Sequence, residues 1–228
     1  MEPVILARSD ASKPCRAAVD WAAREAEMRG VVLRVPRNPL REPGRASVIV
    51  CGVAGDDGAP PLRSGSLSAT LVGAAHAPVV LVPDRLAASR RRTGVTLGVD
   101  ARDPSGAGLG FAFESARLRG VPLHVVHVWG LPAGAVERPF GVPERDRATW
   151  EDHEVQLLAD ALRPWREKFP DVRVLEDVRL LGPVEALLRC SERAALVVVP
   201  CDSGATVWEA AARALLRRAT CAVAVVPS

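Results

Sequence analysis

The sequence predicts an α/β protein whose buried parallel strands alternate with helices, and three observations lead to this fold class. Hydrophobic residues make up 48% of the 228 residues but aromatic residues only 4%, so Val, Leu and Ala must fill the core. Short Val-rich runs alternate with longer helical patterns, which is typical of parallel sheets with crossover helices. A strand–helix–strand pattern also occurs twice, which indicates an internal repeat.

The repeat is clearest between residues 9–35 and 99–125, which align over 27 positions without a gap and share 11 identities. In each copy an apolar run leads into a helical pattern that ends at an Arg-Gly pair. The glycines, Gly30 and Gly120, suit the left-handed backbone of a helix C-cap. A second apolar run follows each glycine, so both copies predict a β-α-β unit. Trp21 aligns with Phe111, which favours a shared core position.

The ends of the two copies also correspond. Residues 66–83 and 210–227 each predict a small-residue helix followed by a strand that ends in Val-Pro. Another buried strand precedes each of them, at 47–51 in the first copy and at 195–199 in the second. Strands that alternate with helices in this way imply right-handed crossovers between parallel neighbours.

The middles of the copies differ. The second copy adds a helix near 150–168, a strand at 172–180 and a short helix at 183–192, whereas the first copy has only a short connection there. The Pro/Gly-rich segment 131–150 is longer than a usual connection and is interpreted as a lid or a mobile loop.

These differences divide the chain into a truncated domain at 1–84, a basic linker at 85–93 and a full-length domain at 94–228. The linker arginines have no aromatic residues among them, which favours a solvated connector over a nucleic-acid patch. No apolar run approaches the roughly 18 residues of a membrane span, and the N-terminus lacks a signal-peptide pattern. We therefore expect a cytoplasmic protein with neither nucleic-acid nor membrane partners.

The repeated pattern of strand, Asp, Ala-rich helix, Arg-Gly and strand, followed later by a Val-rich strand and a Gly-rich loop, resembles the universal stress protein family. The resemblance covers nearly the whole chain as a tandem of two copies. It implies two doubly wound, Rossmann-like domains of the adenine nucleotide alpha hydrolase-like type. The implied strand order is 3-2-1-4-5 in the second copy and 2-1-4-5 in the truncated first.

Nucleotide-binding members of that family carry G-x2-G-x9-G-[ST] after the fourth strand, and Gly52, Gly55, Gly65 and Ser66 have this spacing directly after residues 47–51. Ligands of open α/β sheets bind beyond the carboxyl ends of strands where the strand order reverses. Glycines let the backbone approach phosphates, and the free N–H groups of a helix start favour an anion.

Asp10, at the end of the first strand, is expected to accept hydrogen bonds from an adenine or a ribose. Together with the four loop residues it predicts a site for ATP with Mg²⁺, or for a related nucleotide. Against this interpretation, Asp56 and Asp57 lie inside the loop and would repel a triphosphate in the absence of a cation. The alternative is a ligand-free tandem scaffold in which the glycines are turn residues.

The second copy departs from the motif. Pro200 aligns with Gly52, Glu209 with Gly65 and Ala210 with Ser66, and the loop is four residues shorter. We expect no nucleotide phosphates there, because the glutamate would occupy the anion position at the helix start. Asp100 is then expected to be a turn or capping residue.

No residue stands out as catalytic, so the sequence does not predict an enzyme, and slow ATP hydrolysis is the least favoured interpretation. His124 and His127 point to opposite faces of a predicted strand, and no cluster has zinc-ligand spacing, so no metal site is expected. The five cysteines indicate a reducing compartment. Cys201 and Cys221 are interpreted as inert thiols, with a redox pair as the less favoured alternative.

The last strand of each copy would be an apolar sheet edge, which needs covering. The resemblance implies antiparallel pairing at this edge, so the two copies are expected to pair their last strands within one chain. A homodimer through the other edge of the first copy stays open.

Overall fold

A computed structural model describes residues 3–8, 12–37, 46–53, 77–84, 94–132, 142–201, 211–212, 214–215, 217–218 and 221–227. The strands are β1 (Val4–Ala7), β2 (Val32–Arg34), β3 (Ala46–Val53), β4 (Val79–Pro83), β5 (Val95–Val99), β6 (Leu123–Trp129), β7 (Val174–Leu180), β8 (Leu196–Cys201) and β9 (Ala222–Pro227). The helices described over their full length are α1 (Lys13–Arg29), α2 (Gly106–Arg119), α3 (Glu144–Lys168) and α4 (Pro183–Ser191).

Within these residues the strands form one sheet in the order β2-β1-β3-β4-β9-β8-β5-β6-β7. Neighbours are parallel except β4 and β9, which pair antiparallel with Val80 opposite Ala224. The central strands are Val-rich and buried on both faces, which is typical of parallel strands covered by helices. The predicted α/β class with a mostly parallel sheet is confirmed.

The strand order reverses at two places. β1 lies between β2 and β3, and β5 lies between β6 and β8, each with parallel partners on both sides. After β1 the next strand, β2, is added on one side of β1, and the following strand, β3, is added on its other side. In the same way, β6 lies on one side of β5 and β8 lies on the other. Each reversal leaves a crevice at the carboxyl ends of the strands.

The two faces of the sheet bury different residues because side chains alternate along a strand. Val48 and Val50 of β3 join the core under α1, α2 and α3, whereas Ile49 and Cys51 join the core on the face that α4 covers. The first of these cores is continuous across both halves of the sheet, since it includes Ile5 of β1 as well as residues of β5 and β8.

The helix ends follow the sequence signals. The hydroxyl groups of Ser12 and Ser105 accept backbone N–H groups at the starts of α1 and α2. Gly30 and Gly120 close these helices with φ of 63° and 61°, which confirms the predicted C-caps.

The predicted loop at 131–150 is wrong in its last seven residues, which form the first turns of α3. The helix starts after Pro143, and Glu144 and Asp146 in its first turn stabilise that end through the helix dipole. Residues 133–141 lie outside the described part. Among the described helices, none has both the length and the hydropathy that crossing a membrane requires.

Candidate functional site

The crevice of the first half opens between the ends of β1 and β3. Ala7 lies beside Val50, and the backbone N–H of Arg8 donates to the Val50 carbonyl at 3.0 Å, which continues the pairing past the end of β1. Gly52 follows on β3, in register with Val82 of β4. The two strands that lead to Asp10 and to the Gly-rich loop are therefore direct neighbours.

Gly52 also lies under the first turn of α1. A Cβ at this position would stand 2.7 Å from the backbone N of Cys15 and closer still to the Pro14 carbonyl group. No side chain fits there without moving the helix, so close packing of helix on strand already requires glycine at position 52.

Of the five residues that the sequence assigned to the nucleotide site, Gly52 is the one that the structure describes. Asp10, Gly55, Gly65 and Ser66 lie outside the described residues, as do Glu209 and residues 85–93, which were predicted to form a basic linker. The nucleotide site consequently stays a prediction.

The described groups around this crevice are small, cationic or thiol-bearing. Burial raises the pKa of the Cys51 thiol to about 12, an effect that the charge of Arg8 opposes and that nearby Cys15 reinforces. Cys51 is therefore a protonated, inert thiol at neutral pH, in agreement with the prediction of core-filling cysteines.

The equivalent crevice of the second half lies between β5 and β8. Asp100 Oδ1 accepts a hydrogen bond of 3.0 Å from the backbone N of Arg102, which confirms Asp100 as a turn residue. Pro200 lies in β8 where Gly52 lies in β3. In this half the glycine at the contact between helix and strand belongs to the helix: Gly108 of α2 faces Pro200 of β8, and a Cβ at Gly108 would stand 3.4 Å from the Pro200 Cβ.

A buried polar network beside this second crevice escaped the sequence analysis. His127 is fully buried, with Nε2 3.0 Å from Glu154 Oε2, and Glu154 is also paired with Arg102. The backbone N of Ala101 lies 3.3 Å from His127 Nδ1. A signal was present, since Glu154 stands one helical turn before the core residue Leu158.

The less favoured alternative for Cys201 and Cys221, a redox pair, is contradicted by the strand register. The parallel register sets Leu196 beside Ala222 and Cys201 beside Pro227, so Cys221 belongs to the opposite end of the sheet. At about 3.3 Å per strand residue, the six residues from Cys221 to Pro227 separate the two cysteines by roughly 20 Å along the sheet.

His124 and His127 occupy opposite faces of β6, as predicted. His127 faces α3, whereas His124 Nε2 lies 2.9 Å from Asp177 Oδ2 on the face that α4 covers. Cys190 joins His124 and Asp177 there, which gives a three-residue group with metal-ligand chemistry. The sequence could not reveal this group, because its members come from three separate elements.

Comparisons with known proteins give one consistent family. A sequence model described as "Universal stress protein family" matches residues 93–227. A universal stress protein of Mycolicibacterium smegmatis is 37% identical over 158 residues, which cover 68% of this chain and 51% of that protein. A universal stress protein of Mycobacterium tuberculosis is 31% identical over 164 residues, with coverages of 68% and 49%. The chain spans about half the length of the curated relatives it matches.

Solved structures agree on the fold. A universal stress protein of Archaeoglobus fulgidus aligns over 98% of this chain and 96% of its own, with a TM-score of 0.58 and 16% identity. A putative universal stress protein of Pseudomonas aeruginosa aligns over 98% and 82%, with a TM-score of 0.52 and 14% identity. Another Archaeoglobus fulgidus universal stress protein was solved in complex with dAMP, but its TM-score of 0.35 transfers no ligand to this chain.

Proposed function

The chain belongs to the universal stress protein family, and we propose that it is a cytoplasmic regulatory protein, not an enzyme, which binds ATP or a related nucleotide in its first half. One observation carries this proposal. β1 and β3 are parallel neighbours at a reversal of strand order, and Asp10 and the Gly52–Ser66 loop follow directly from their ends in the sequence. In open α/β sheets this is where ligands bind.

The charges of the described residues fit an anion at this place. Ala7 and Gly52 present little side-chain bulk, and Arg8 and Lys13 flank the ends of β1 and the start of α1. The aligned residues of the second half are Gly98 and Asp103, so this pair of positive charges belongs to the first half alone. Cationic side chains beside a crevice attract phosphate groups.

In the proposed complex the backbone of the loop from Gly52 to Ser66 binds the phosphates, with N–H groups at the helix start as donors. Asp10 accepts hydrogen bonds from the base or the ribose. A bound Mg²⁺ would supply the positive charge that makes Asp56 and Asp57 compatible with a triphosphate. The chain would then couple nucleotide occupancy to partner binding.

We also propose that the two halves are a tandem duplication, a truncated copy followed by a complete one. Matching contacts of the arginines at the ends of α1 and α2 support this. Arg29 Cζ lies 5.1 Å from the ring centroid of Phe111, and Arg119 Cζ lies 5.7 Å from the ring centroid of Trp21. Arg29 aligns with Arg119, and Trp21 with Phe111. Such mutual contacts are typical of two-fold related units. The antiparallel β4–β9 pair would then join the last strands of both copies, and the outer edge at β2 would serve a homodimer.

The alternative is a ligand-free tandem scaffold, and one observation favours it. The packing of α1 against β3 by itself accounts for the glycine at position 52. A scaffold would keep that glycine in the absence of any nucleotide.

Calorimetric titration of the full chain with ATP and Mg²⁺ tests the proposal. We expect binding that Gly65→Glu weakens at least about tenfold, because this change copies Glu209 of the second half and puts a carboxylate at the anion position. Gly130→Glu is the matched control, since a side chain at Gly130 meets open space outside the site. Equal binding by the Gly65 variant would exclude the loop, and no binding at millimolar ATP would favour the scaffold.

A further inference from the structure

A group of three side chains lies on the face of the sheet that α4 covers, away from the proposed nucleotide crevice. His124 of β6, Asp177 of β7 and Cys190 of α4 each offer one ligand atom, and these atoms all lie within 4.8 Å of one another. His124 and Asp177 are half-buried and Cys190 is buried. Solvent can therefore reach the group from the β7 edge of the sheet.

The fold assembles this group from distant parts of the second half. Val126 pairs with Asp177 in the parallel register of β6 and β7, which puts Asp177 on the same face as His124 two residues earlier on β6. α4 packs on that face through Ala186 and Leu187, and Cys190 lies one turn further along the same buried stripe. Rigid, packed elements thus hold all three side chains.

The geometry points to a Zn²⁺ site: we propose that His124, Asp177 and Cys190 supply a nitrogen, an oxygen and a sulfur ligand, with a fourth position open to solvent. Zn²⁺ prefers imidazole and thiolate ligands and accepts carboxylates in tetrahedral geometry. Zinc–ligand bonds of about 2.0–2.3 Å leave tetrahedral ligand atoms roughly 3.3–3.8 Å apart. Small side-chain rotations would bring the present separations into that range, by widening the 2.9 Å between His124 Nε2 and Asp177 Oδ2 and shortening any longer separation, which is at most 4.8 Å.

Hydrogen bonds keep the Asp177 carboxylate ionised and also occupy the oxygen that would bind the metal ion. Asp177 Oδ2 is 2.9 Å from His124 Nε2 and accepts the Arg179 Nε–H at 2.8 Å. The pKa of Asp177 lies below its ordinary value because the hydrogen bonds from Arg179 and His124 outweigh the opposing effect of burial. The carboxylate is therefore ionised, and the Arg179 guanidinium competes with a metal ion for it.

Cys190 has to lose its proton when the metal binds. Burial raises the pKa of this thiol, and the carboxylate of Asp177 adds to the effect while Arg179 opposes it. Zn²⁺ would replace the thiol proton, which leaves to solvent, so that a neutral thiol becomes a metal-bound thiolate.

This proposal is independent of nucleotide binding. His124 is the second residue of β6 and lies towards the amino end of that strand, whereas the proposed nucleotide crevice lies at the carboxyl ends of β1 and β3. Loss of either function by mutation would leave the residues of the other unchanged.

The test uses the reduced, metal-free full chain, titrated with Zn²⁺ by calorimetry and with Co²⁺ by absorption spectroscopy. We expect one equivalent of Zn²⁺ and a Co²⁺ complex with a thiolate-to-cobalt charge-transfer band. Cys190→Ser should abolish that band, and His124→Gln and Asp177→Asn should each weaken Zn²⁺ binding at least about tenfold. Circular dichroism shows whether each variant keeps its fold.

Matched controls sharpen the result. His153→Gln changes an exposed histidine of α3, and Cys201→Ser changes a half-buried cysteine at the other end of the sheet. Both should bind Zn²⁺ like the original chain.

Arg179→Gln gives the most specific outcome, because removal of the competing guanidinium should tighten Zn²⁺ binding severalfold without touching a ligand. No binding by the original chain at 100 μM Zn²⁺ (about a hundredfold above a Kd of 1 μM), or equal binding by the three ligand variants, would overturn the proposal. An unchanged affinity of the Arg179 variant would contradict the assignment of Asp177 as a ligand.

Discussion

The two halves of this molecule share a backbone plan and differ in what surrounds the crevice where the strand order reverses. In the first half the strand ends in Gly52 and positive charges flank the opening. In the second half Pro200 replaces that glycine, Asp100 is used in a turn, and Glu154 is paired with Arg102 and lies 3.0 Å from His127 Nε2. The comparison teaches that two halves with the same backbone plan both keep the crevice, while the residues that could bind a ligand there differ without disturbing the sheet.

The contact between the halves is itself asymmetric, and it offers the largest test. Glu25 is fully buried between two arginines, Arg29 at 2.6 Å and Arg119 of the second half, whereas its aligned residue Ser115 carries no charge. Ser115 Oγ accepts a hydrogen bond of 3.2 Å from Arg29. Glu25 thus pairs with both cations at the junction of α1 and α2, and Arg29 has a second carboxylate partner in Glu114 at 2.8 Å.

Glu25→Ala should lower the free energy of unfolding by about 3–5 kcal/mol, because it removes the buried counter-charge of Arg119 and leaves Arg29 with the half-exposed Glu114 alone. Glu185→Ala is the control, since the Glu185–Arg189 pair is exposed and should contribute less than about 1 kcal/mol. Urea unfolding measures both. A loss for Glu25→Ala no larger than that of the control would show that the halves do not depend on this charge cluster.

The helix–strand contact offers the next test, because its glycine lies on opposite partners in the two halves. Gly52→Ala should destabilise the protein by about 1–3 kcal/mol, since the new methyl group meets the backbone of Pro14 and Cys15. Gly108→Ala should be neutral or stabilising by up to about 1 kcal/mol, because its methyl group makes an ordinary contact with Pro200 and alanine favours a helix. Equal effects in thermal unfolding would contradict the proposed packing difference.

The smallest expected effect concerns the residue before Gly52. This residue is the buried Cys51 in the first half, and Val199 is its counterpart in the second half. The pKa of Cys51 is about 12 in the folded protein against an ordinary value of 9.0. Below pH 9 the thiol is protonated in both states. Above pH 9 the unfolded chain releases a proton that the folded protein keeps, so stability falls as the pH rises towards 12.

Between pH 9 and pH 10 this difference amounts to about 1 kcal/mol for one proton. Cys51→Val copies the second half and should reduce the loss of stability over that interval by this amount in urea titrations at the two pH values. An identical pH dependence for variant and original chain would mean that Cys51 ionises normally in the folded protein.

Much of the fold could be predicted because its determinants are local. The Arg-Gly pairs at residues 29–30 and 119–120 ended helices as expected, and the Val-rich runs became buried strands. The start of α3 was missed because Pro- and Gly-rich residues before it suggested a loop, and acidic residues in the first turn outweighed that signal. Trp21 and Phe111 are both buried in one core, as their alignment predicted.

The sites were predicted less completely. The glycine spacing of the proposed nucleotide loop can be recognised in the sequence alone, but the spacing does not reveal that Gly52 also packs against the start of α1. The spacing of Glu154 before Leu158 indicates a buried position but does not name His127 as its partner, and the group of His124, Asp177 and Cys190 has no local signature. The supposed proximity of Cys201 and Cys221 failed because parallel register, which sequence does not specify, decides which strand residues are neighbours.

By itself the sequence determined the α/β class, the positions of most strands and helices and the two matching helix ends, because periodicity and capping act over a few residues. The tertiary structure alone decided that Glu25 pairs with arginines of two helices and that three ligand-type side chains meet under α4. These features depend on strand register and on helix docking, which arise only when residues far apart in the chain are packed together.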